Sequence, residues 1–304
     1  MSPLVSVIMP SYQKARFIAG AVESVLAQTF TDYELIVVDS SSDDTPAILE
    51  RFEPTVRAIR TEPRGIAAAR NVGVRASRGA LVAFLDADDN WMPTKLERQV
   101  KVLESSPRVG LVCADVLFQG EEGLRPGRAF TDARPASGMI HPLVFSRSFI
   151  GTSTVVIRRS CFDEVGGFDE SITACEDHDL WLRISRTWAI DYVDEPLAVY
   201  RYSAGQASAD RERTLAGMRG APHSGLIRVQ ERAYAASAEV RALDPETLDR
   251  SFFNLYLELA RLYVRSGRSR LARPVLRQYR QARGVTSRYG KLLMASLLPA
   301  RMVS

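Results

Sequence analysis

The stretch ALVAFLDADDNW, residues 80–91, decides how the rest of the chain is read. An apolar run of strand length, Leu81 to Leu85, ends in three carboxylates, Asp86, Asp88 and Asp89. Continuous rather than alternating hydrophobicity is the pattern of a strand buried on both faces, as in a sheet covered by helices. Similar runs recur at residues 4–10 (LVSVIMP), 33–39 (YELIVVD) and 56–62 (VRAIRTE). Helix-period segments lie between them: FIAGAVESVLAQ, TPAILERF and GIAAARNVGVRAS. Strand, helix, strand repeated predicts an α/β domain with a mostly parallel sheet flanked by helices. Ligands collect beyond the carboxyl ends of such strands. Pro10-Ser11-Tyr12, Asp39-Ser40-Ser41 and Asp86-Ala87-Asp88 each fall just past a predicted strand and are expected to converge on one cleft.

Downstream, the pattern predicts a helix over 93–106, a strand over 109–118, a Gly/Pro/Arg-rich surface loop over 119–138 and a strand over 151–159. A turn at 164–171, a helix over 175–187 and a strand over 190–202 complete the first module. The small residues of 203–211 read as a linker. Beyond it the chain is helical, with a hairpin broken at Ser266-Gly267-Arg268 and a final apolar segment, YGKLLMASLLPARMV. The expected modules are residues 1–205 and 206–304. Charge separates them too: 206–304 carries 18 Lys and Arg against 8 Asp and Glu, a net of +10, while 1–205 nets −6. A basic helical module suits peripheral contact with an anionic membrane or self-association into a homodimer, although an arginine-rich solvated surface is an equally good reading.

Hydrophobic residues at 46% and charged residues at 25% are ordinary for a soluble protein, and no apolar run reaches bilayer length. The opening MSPLVSVIMP lacks a basic n-region and reads as a first strand, so a cytoplasmic location is expected, with peripheral contact at the inner face of the membrane. Cys113, Cys161 and Cys175 lack metal-ligand spacing and fit a reducing compartment. Nucleic acid is not an expected partner, because the basic helices bring no reader motif or aromatic stacking platform.

Three explanations compete for the aspartates at 86–89. Capping of the next helix accounts for Asp89 or Asn90 at best, since Pro93 suits a first helical position and leaves Asp86 too early. A solvated turn leaves like charges unneutralised at the end of a buried strand. A hard divalent cation removes that repulsion, and Mg²⁺ or Mn²⁺ favours one or two carboxylates completed by water and phosphate oxygens.

Three stretches that together carry four motifs, VSVIMPSYQKARFIAGAVESVLAQTFTDYELIVVDSSSDDT, EPRGIAAARNVGVRASRGALVAFLDADDNWMPTKLERQV and GGFDESITACEDHDLWLRIS, resemble family 2 inverting glycosyltransferases with the GT-A fold. The resemblance covers residues 4 to about 203 and none of the C-terminal hundred. It implies a nucleotide-binding turn at Pro10, Ser11 and Tyr12, and a uracil- and ribose-binding element at Asp39 and Ser40. The family's usual second aspartate of that element is Ser40 here. It further implies that Arg70 faces the donor diphosphate and that Asp86 and Asp88 form the D-x-D pair, Asp88 as main metal ligand and Asp86 nearer the ribose or a metal-bound water. In Glu176-Asp177-His178-Asp179, the resemblance makes Asp177 the catalytic base, with Glu176 and Trp181 on the acceptor side. An acidic helix N-terminus without chemistry is the plain alternative for that run. Family members often carry a histidine where this chain has Ser203.

The resemblance thus implies a metal-dependent enzyme that moves a sugar from a nucleotide donor, expected to be a UDP-sugar, to a hydroxyl acceptor in polysaccharide or glycolipid biosynthesis. Glycosylation of a peptide or small-molecule scaffold is the alternative within the class. A degenerate, non-enzymatic nucleotide-sugar-binding partner protein is the alternative outside it, motivated by Ser40 and Ser203. A sugar-1-phosphate nucleotidyltransferase would need a Gly-rich loop after the first strand, where this chain has Pro-Ser-Tyr-Gln-Lys.

Overall fold

The computed structural model describes residues 2–120, 123–128, 136–201, 214–215, 225–284 and 286–297. Ser203, the linker over 203–211, the boundary at 205/206 and residues 298–303 of the final apolar segment lie outside them. The chain divides into two compact units: Met1–Ile140, Ser148–Glu170 and Glu176–Gln206 form the first, and His141–Arg147, Ser171–Cys175 and Ala207–Ser304 the second.

The first unit opens with β1 (Val5–Ser11), α1 (Ile18–Leu26), β2 (Tyr33–Asp39), α2 (Thr45–Glu50), β3 (Val56–Arg60), α3 (Ile66–Ala76) and β4 (Leu81–Phe84). A two-residue β5 (Asn90–Trp91), α4 (Lys95–Ser105), β6 (Val109–Gly120) and β7 (Gly123–Arg128) follow. After α5 (His141–Ser146), which groups with the helical unit, come a 3₁₀ turn at Thr152–Thr154, β8 (Val156–Arg158), α6 (Arg159–Val165), α7 (Glu176–Ile184) and β9 (Ala189–Arg201). The sheet runs β3-β2-β1-β4-β8-β6-β9-β5, with β7 paired to β6. β1 to β4 are mutually parallel, as are β6 and β9, whereas β8 is antiparallel to both its neighbours.

Three local expectations are corrected. The stretch 151–159 is not one strand: its Thr-Ser-Thr forms a 3₁₀ turn before β8, and α6 starts at Arg159. Part of the expected loop over 119–138 is a hairpin, because β6 runs on to Gly120 and β7 pairs back on it, Gly120 opposite Gly123. The helix after Pro93 begins at Lys95.

Period-2 alternation assigns the two faces of the sheet. Val5, Val7 and Met9 of β1 and Leu35 and Val37 of β2 share a core with Ile18, Val22 and Val25 of α1 and Leu96, Val100 and Leu103 of α4. Ile8 and Val38 point the other way, onto α3. There the backbone of Gly73 comes so close that an added Cβ would lie 2.4 Å from Ile8 Cγ2 and 3.2 Å from Val38 Cγ2. Gly73→Ala is therefore expected to destabilise by about 1–3 kcal/mol through overpacking, despite the better helix propensity of alanine. A denaturant midpoint equal to or above the parent's would refute this packing.

Register sets the site. Ser11 lies opposite Asp39 and Asp39 opposite Arg60, so β1, β2 and β3 end level. β4 ends at Phe84 opposite Ile8, and Leu85 N–H still donates to Ile8 O at 3.1 Å, which carries the Asp86 turn to the same edge.

The second unit is helical. Asn254–Arg265 and Ser269–Arg283 form the expected hairpin, turning at Gly267, whose φ of +73° suits glycine. Phe145, Tyr234, Phe252, Phe253 and Tyr256 make an aromatic cluster with centroids 4.9–6.2 Å apart. The Tyr256 hydroxyl donates to Glu231 Oε1 at 2.6 Å. The segment Ser287–Leu297 adds a third helix to the hairpin.

Candidate active site

Three strand ends build one wall. Asp39 is fully buried: Oδ1 accepts from Ser41 Oγ at 2.6 Å and from Ser41 N–H at 3.3 Å, and Oδ2 pairs with Arg60 of the neighbouring strand. Arg60 Nη2 also donates to Ser41 O at 2.7 Å, so guanidinium and carboxylate brace the loop after β2. Ser40 N–H bonds Ser11 O at 3.0 Å and ties that loop to β1. Among the described residues the buried Ser11 hydroxyl has no partner, and Tyr12 beyond it is 56% exposed. An orphaned hydroxyl beside an exposed aromatic ring is an arrangement that a nucleoside can complete through a hydrogen bond and stacking. Pro10 supplies the rigid end of β1.

The three aspartates of the β4 turn have three different partners. Asp86 Oδ1 accepts from Arg70 Nη2 at 2.7 Å, and Asp88 Oδ2 from Lys14 Nζ at 2.5 Å. Asp89 is 2% exposed and accepts from Ser153 Oγ at 2.6 Å and Arg201 N–H at 3.0 Å. Burial, reinforced by Asp86, pushes the Asp89 carboxyl well above its ordinary value. It is a buried strut between the 3₁₀ turn and β9, rather than the support for the next helix that its position suggests. Ser153 completes the strut by donating to Asp89 while receiving the Asp86 N–H at 3.1 Å. Trp91 Nε1 donates to Ser153 O at 2.7 Å, and the buried Lys95 ammonium lies 4.1 Å from the Trp91 ring.

The second wall is the N-terminal turn of α7. Asp177 is partly exposed, with Oδ2 accepting from Thr152 Oγ1 and Oδ1 from His178 N–H, both at 2.7 Å. Glu176 is nearly buried and accepts from Arg70 Nη1 at 2.7 Å. Arg70 therefore bridges the two walls, one terminal nitrogen on Asp86 and the other on Glu176. Its ring partner is Phe168, 5.2 Å away. Burial opposes its charge, but Asp86, Glu176 and Asp177 more than restore it and raise the arginine pKa above its ordinary value. Burial raises the Glu176 carboxyl, with Arg70 pulling against it. The resemblance aims Arg70 at a diphosphate; in the fold each terminal nitrogen of its fork holds a carboxylate.

Other residues of the α7 run serve packing. Asp179 pairs with Arg183 at 2.8 Å, and that guanidinium also holds Val165 O and Gly167 O. Burial keeps His178 below its ordinary value. Trp181, expected on the acceptor side, is 1% exposed and packs edge-on to Phe168. Its indole is packed in the core. Lys14, Arg60, Thr152 and Ser153 were not singled out by sequence, because Lys, Thr and Ser beside strand ends carry no periodic or motif signal of their own.

The carboxylates suit a hard cation in part. Among the described residues Asp86 Oδ2 and Asp88 Oδ1 have no protein partner, and two carboxylate oxygens completed by phosphate and water match the habit of Mg²⁺ or Mn²⁺. Among the described residues no group of three His, Cys, Asp or Glu supplies a full cage. Lys14 already neutralises Asp88, so a cation there competes with an ammonium.

The sequence profile described as glycosyl transferase family 2 matches residues 6–166, more than half of the chain and all of the wall that holds Asp39 and Asp86 to Asp89. The chain belongs to that family. It is 30% identical over 214 residues to an uncharacterized glycosyltransferase of Rickettsia prowazekii, covering 68% of this chain and 66% of the relative. It is 31% identical over 216 residues to one of Rickettsia bellii, covering 68% and 31%. The alignments thus span about one third to two thirds of these relatives' lengths. Among solved structures, S. aureus TarS 1-349 in complex with UDP-GlcNAc superposes with a TM-score of 0.61 at 19% identity, covering 97% of this chain and 91% of that one. The mannosyltransferase PcManGT of Pyrobaculum calidifontis, in complex with GDP-Man and Mn²⁺, gives 0.58 at 22% identity, covering 99% and 83%. The fold of this chain is GT-A, with a helical C-terminal region. Among the described residues no helix is long and apolar enough to cross a membrane.

Proposed function

We propose that this glycosyltransferase is a metal-dependent inverting enzyme that transfers a hexose from a UDP-sugar to a hydroxyl acceptor, in the assembly of a polysaccharide or glycolipid. The observation that carries the reading is the pairing of walls. A partly exposed Asp177, oriented by Thr152 and its own helix N-terminus, stands across the Arg70 bridge from Asp86 and Asp88. Inversion needs a single displacement, in which one carboxylate takes the acceptor's proton as its oxygen attacks the anomeric carbon. Asp177 is the base, and its two hydrogen bonds fix the carboxylate's direction. Pro10, Ser11, Tyr12, Asp39 and Ser40 form the nucleoside side. Solved neighbours in complex with UDP-GlcNAc and with GDP-Man support a nucleotide-sugar donor.

Asp88, with Asp86, would hold Mn²⁺ or Mg²⁺, and a cation there stabilises charge on the departing diphosphate. A cation on Asp88 would displace the Lys14 ammonium from that carboxylate. The reading is tested by measuring nucleotide diphosphate release from a panel of nucleotide sugars with Mn²⁺, Mg²⁺ or EDTA. Release with one donor, suppressed by EDTA, is expected. Asp88→Asn should lose both the metal dependence and most of the activity, by about 10²-fold or more for a lost charge-stabilising group. Release unaffected by EDTA, or undiminished in Asp88→Asn, would remove the metal from the mechanism.

A further inference from the structure

The helical unit carries a surface that transfer chemistry does not use. In the helix Ser269–Arg283, Ala272, Val275, Leu276 and Tyr279 are buried, whereas Arg270, Arg273, Arg277 and Arg280 are exposed. Steps of three, four and three put all four on one stripe, about 15 Å long at about 1.5 Å per residue. Arg270, Arg277 and Arg280 have no acidic partner among the described residues, and Arg273 donates only to Ser296 O, at 3.3 Å. Like charges at these spacings weaken a helix, so the row costs stability within its own unit. Arg265 on the preceding helix and Arg288 and Lys291 on the following one are exposed as well.

Apolar side chains stand beside this charge. Met294 and Leu297 are 63% and 55% exposed on the helix that the Arg273 bond ties to the stripe. A polyanion in solution would answer the arginines alone. An anionic bilayer answers both, because headgroup phosphates pair with guanidinium while leucine and methionine tips enter the acyl boundary. Nucleic acid is the poorer match: Tyr279 and Tyr289, the aromatic rings on these helices, stack on each other at 6.0 Å and are 3% and 6% exposed, closed to bases.

We propose that the Arg270–Arg273–Arg277–Arg280 stripe, with Met294 and Leu297, docks the protein on an anionic phospholipid surface. The test is co-sedimentation of the full chain with phosphatidylcholine vesicles, with and without about 30% phosphatidylglycerol, at low and high salt. Binding only to the anionic vesicles, weakened by salt, is expected. The triple reversal Arg270→Glu, Arg277→Glu, Arg280→Glu should lower that binding by about tenfold or more, while nucleotide diphosphate release from a soluble donor stays at the parental rate. Met294→Ser with Leu297→Ser should weaken binding while leaving its salt dependence. Should the reversal variant lose its circular dichroism signal, the Arg→Gln triple replaces it. Equal binding to neutral vesicles, unchanged binding of a folded triple variant, or equally tight binding to a single-stranded oligonucleotide would overturn the proposal.

Discussion

Replacing Asp177 by asparagine is expected to lower sugar transfer by about 10²–10⁴-fold, the usual contribution of a positioned general base. Asparagine keeps the shape of the side chain and can still accept from Thr152 Oγ1 or His178 N–H, so α7 retains its N-terminal turn. What it loses is the capacity to take a proton. Donor affinity, which depends on the β1, β2 and β4 ends, should stay near the parent's. Because water is an acceptor too, nucleotide diphosphate release without added acceptor reads the effect, and calorimetric titration reads the donor. Release at the parental rate would move the base elsewhere.

Arg70 is where the second large effect is expected, and it is one of stability as well as activity. Its guanidinium is 2% exposed and holds Asp86 and Glu176 together, so Arg70→Ala leaves two carboxylates facing each other with no cation between them. Removing one partner of a buried ion pair costs about 3–5 kcal/mol. Lysine should not rescue, since one ammonium cannot span two carboxylates as a planar fork does. The sign of the pH effect follows from Glu176, already raised by burial and raised further without Arg70. A carboxyl whose folded pKa exceeds its unfolded value favours the folded state as pH falls, so the deficit is largest at neutral pH and shrinks towards acid. Thermal unfolding of Arg70→Ala across that range checks it; a melting temperature equal to the parent's at neutral pH would deny Arg70 its bridging role.

The sheet was the most legible part of the molecule. Tyr33–Asp39 is the predicted strand to the residue, and the strands around it differ by one or two residues at their ends, because buried parallel strands are written as unbroken apolar runs. The cluster at 86–89 was legible as a candidate site but not as three distinct partnerships. Which aspartate meets Arg70, which meets Lys14 and which is buried against Ser153 depends on contacts up to 112 residues apart in sequence, between Asp89 and Arg201. Thr152 shows the same blindness: its strand-like GTSTVVIRR context hid a 3₁₀ turn whose hydroxyl orients Asp177. Trp181 fails for the opposite reason. A tryptophan beside an acidic run looks functional, yet the helix period sends it inward to Phe168. The grouping of His141–Arg147 and Ser171–Cys175 with the helical unit has no marker in composition at all.

The central claim is that the ends of β1, β2 and β4 bind a nucleotide sugar with a cation on Asp88. Calorimetric titration of UDP and UDP-sugars into the protein, with Mn²⁺ and then with EDTA, tests it most directly. Saturable binding in Mn²⁺, weakened by EDTA and by Asp88→Asn, is the predicted result. No binding of any nucleotide or nucleotide sugar under either condition would contradict it.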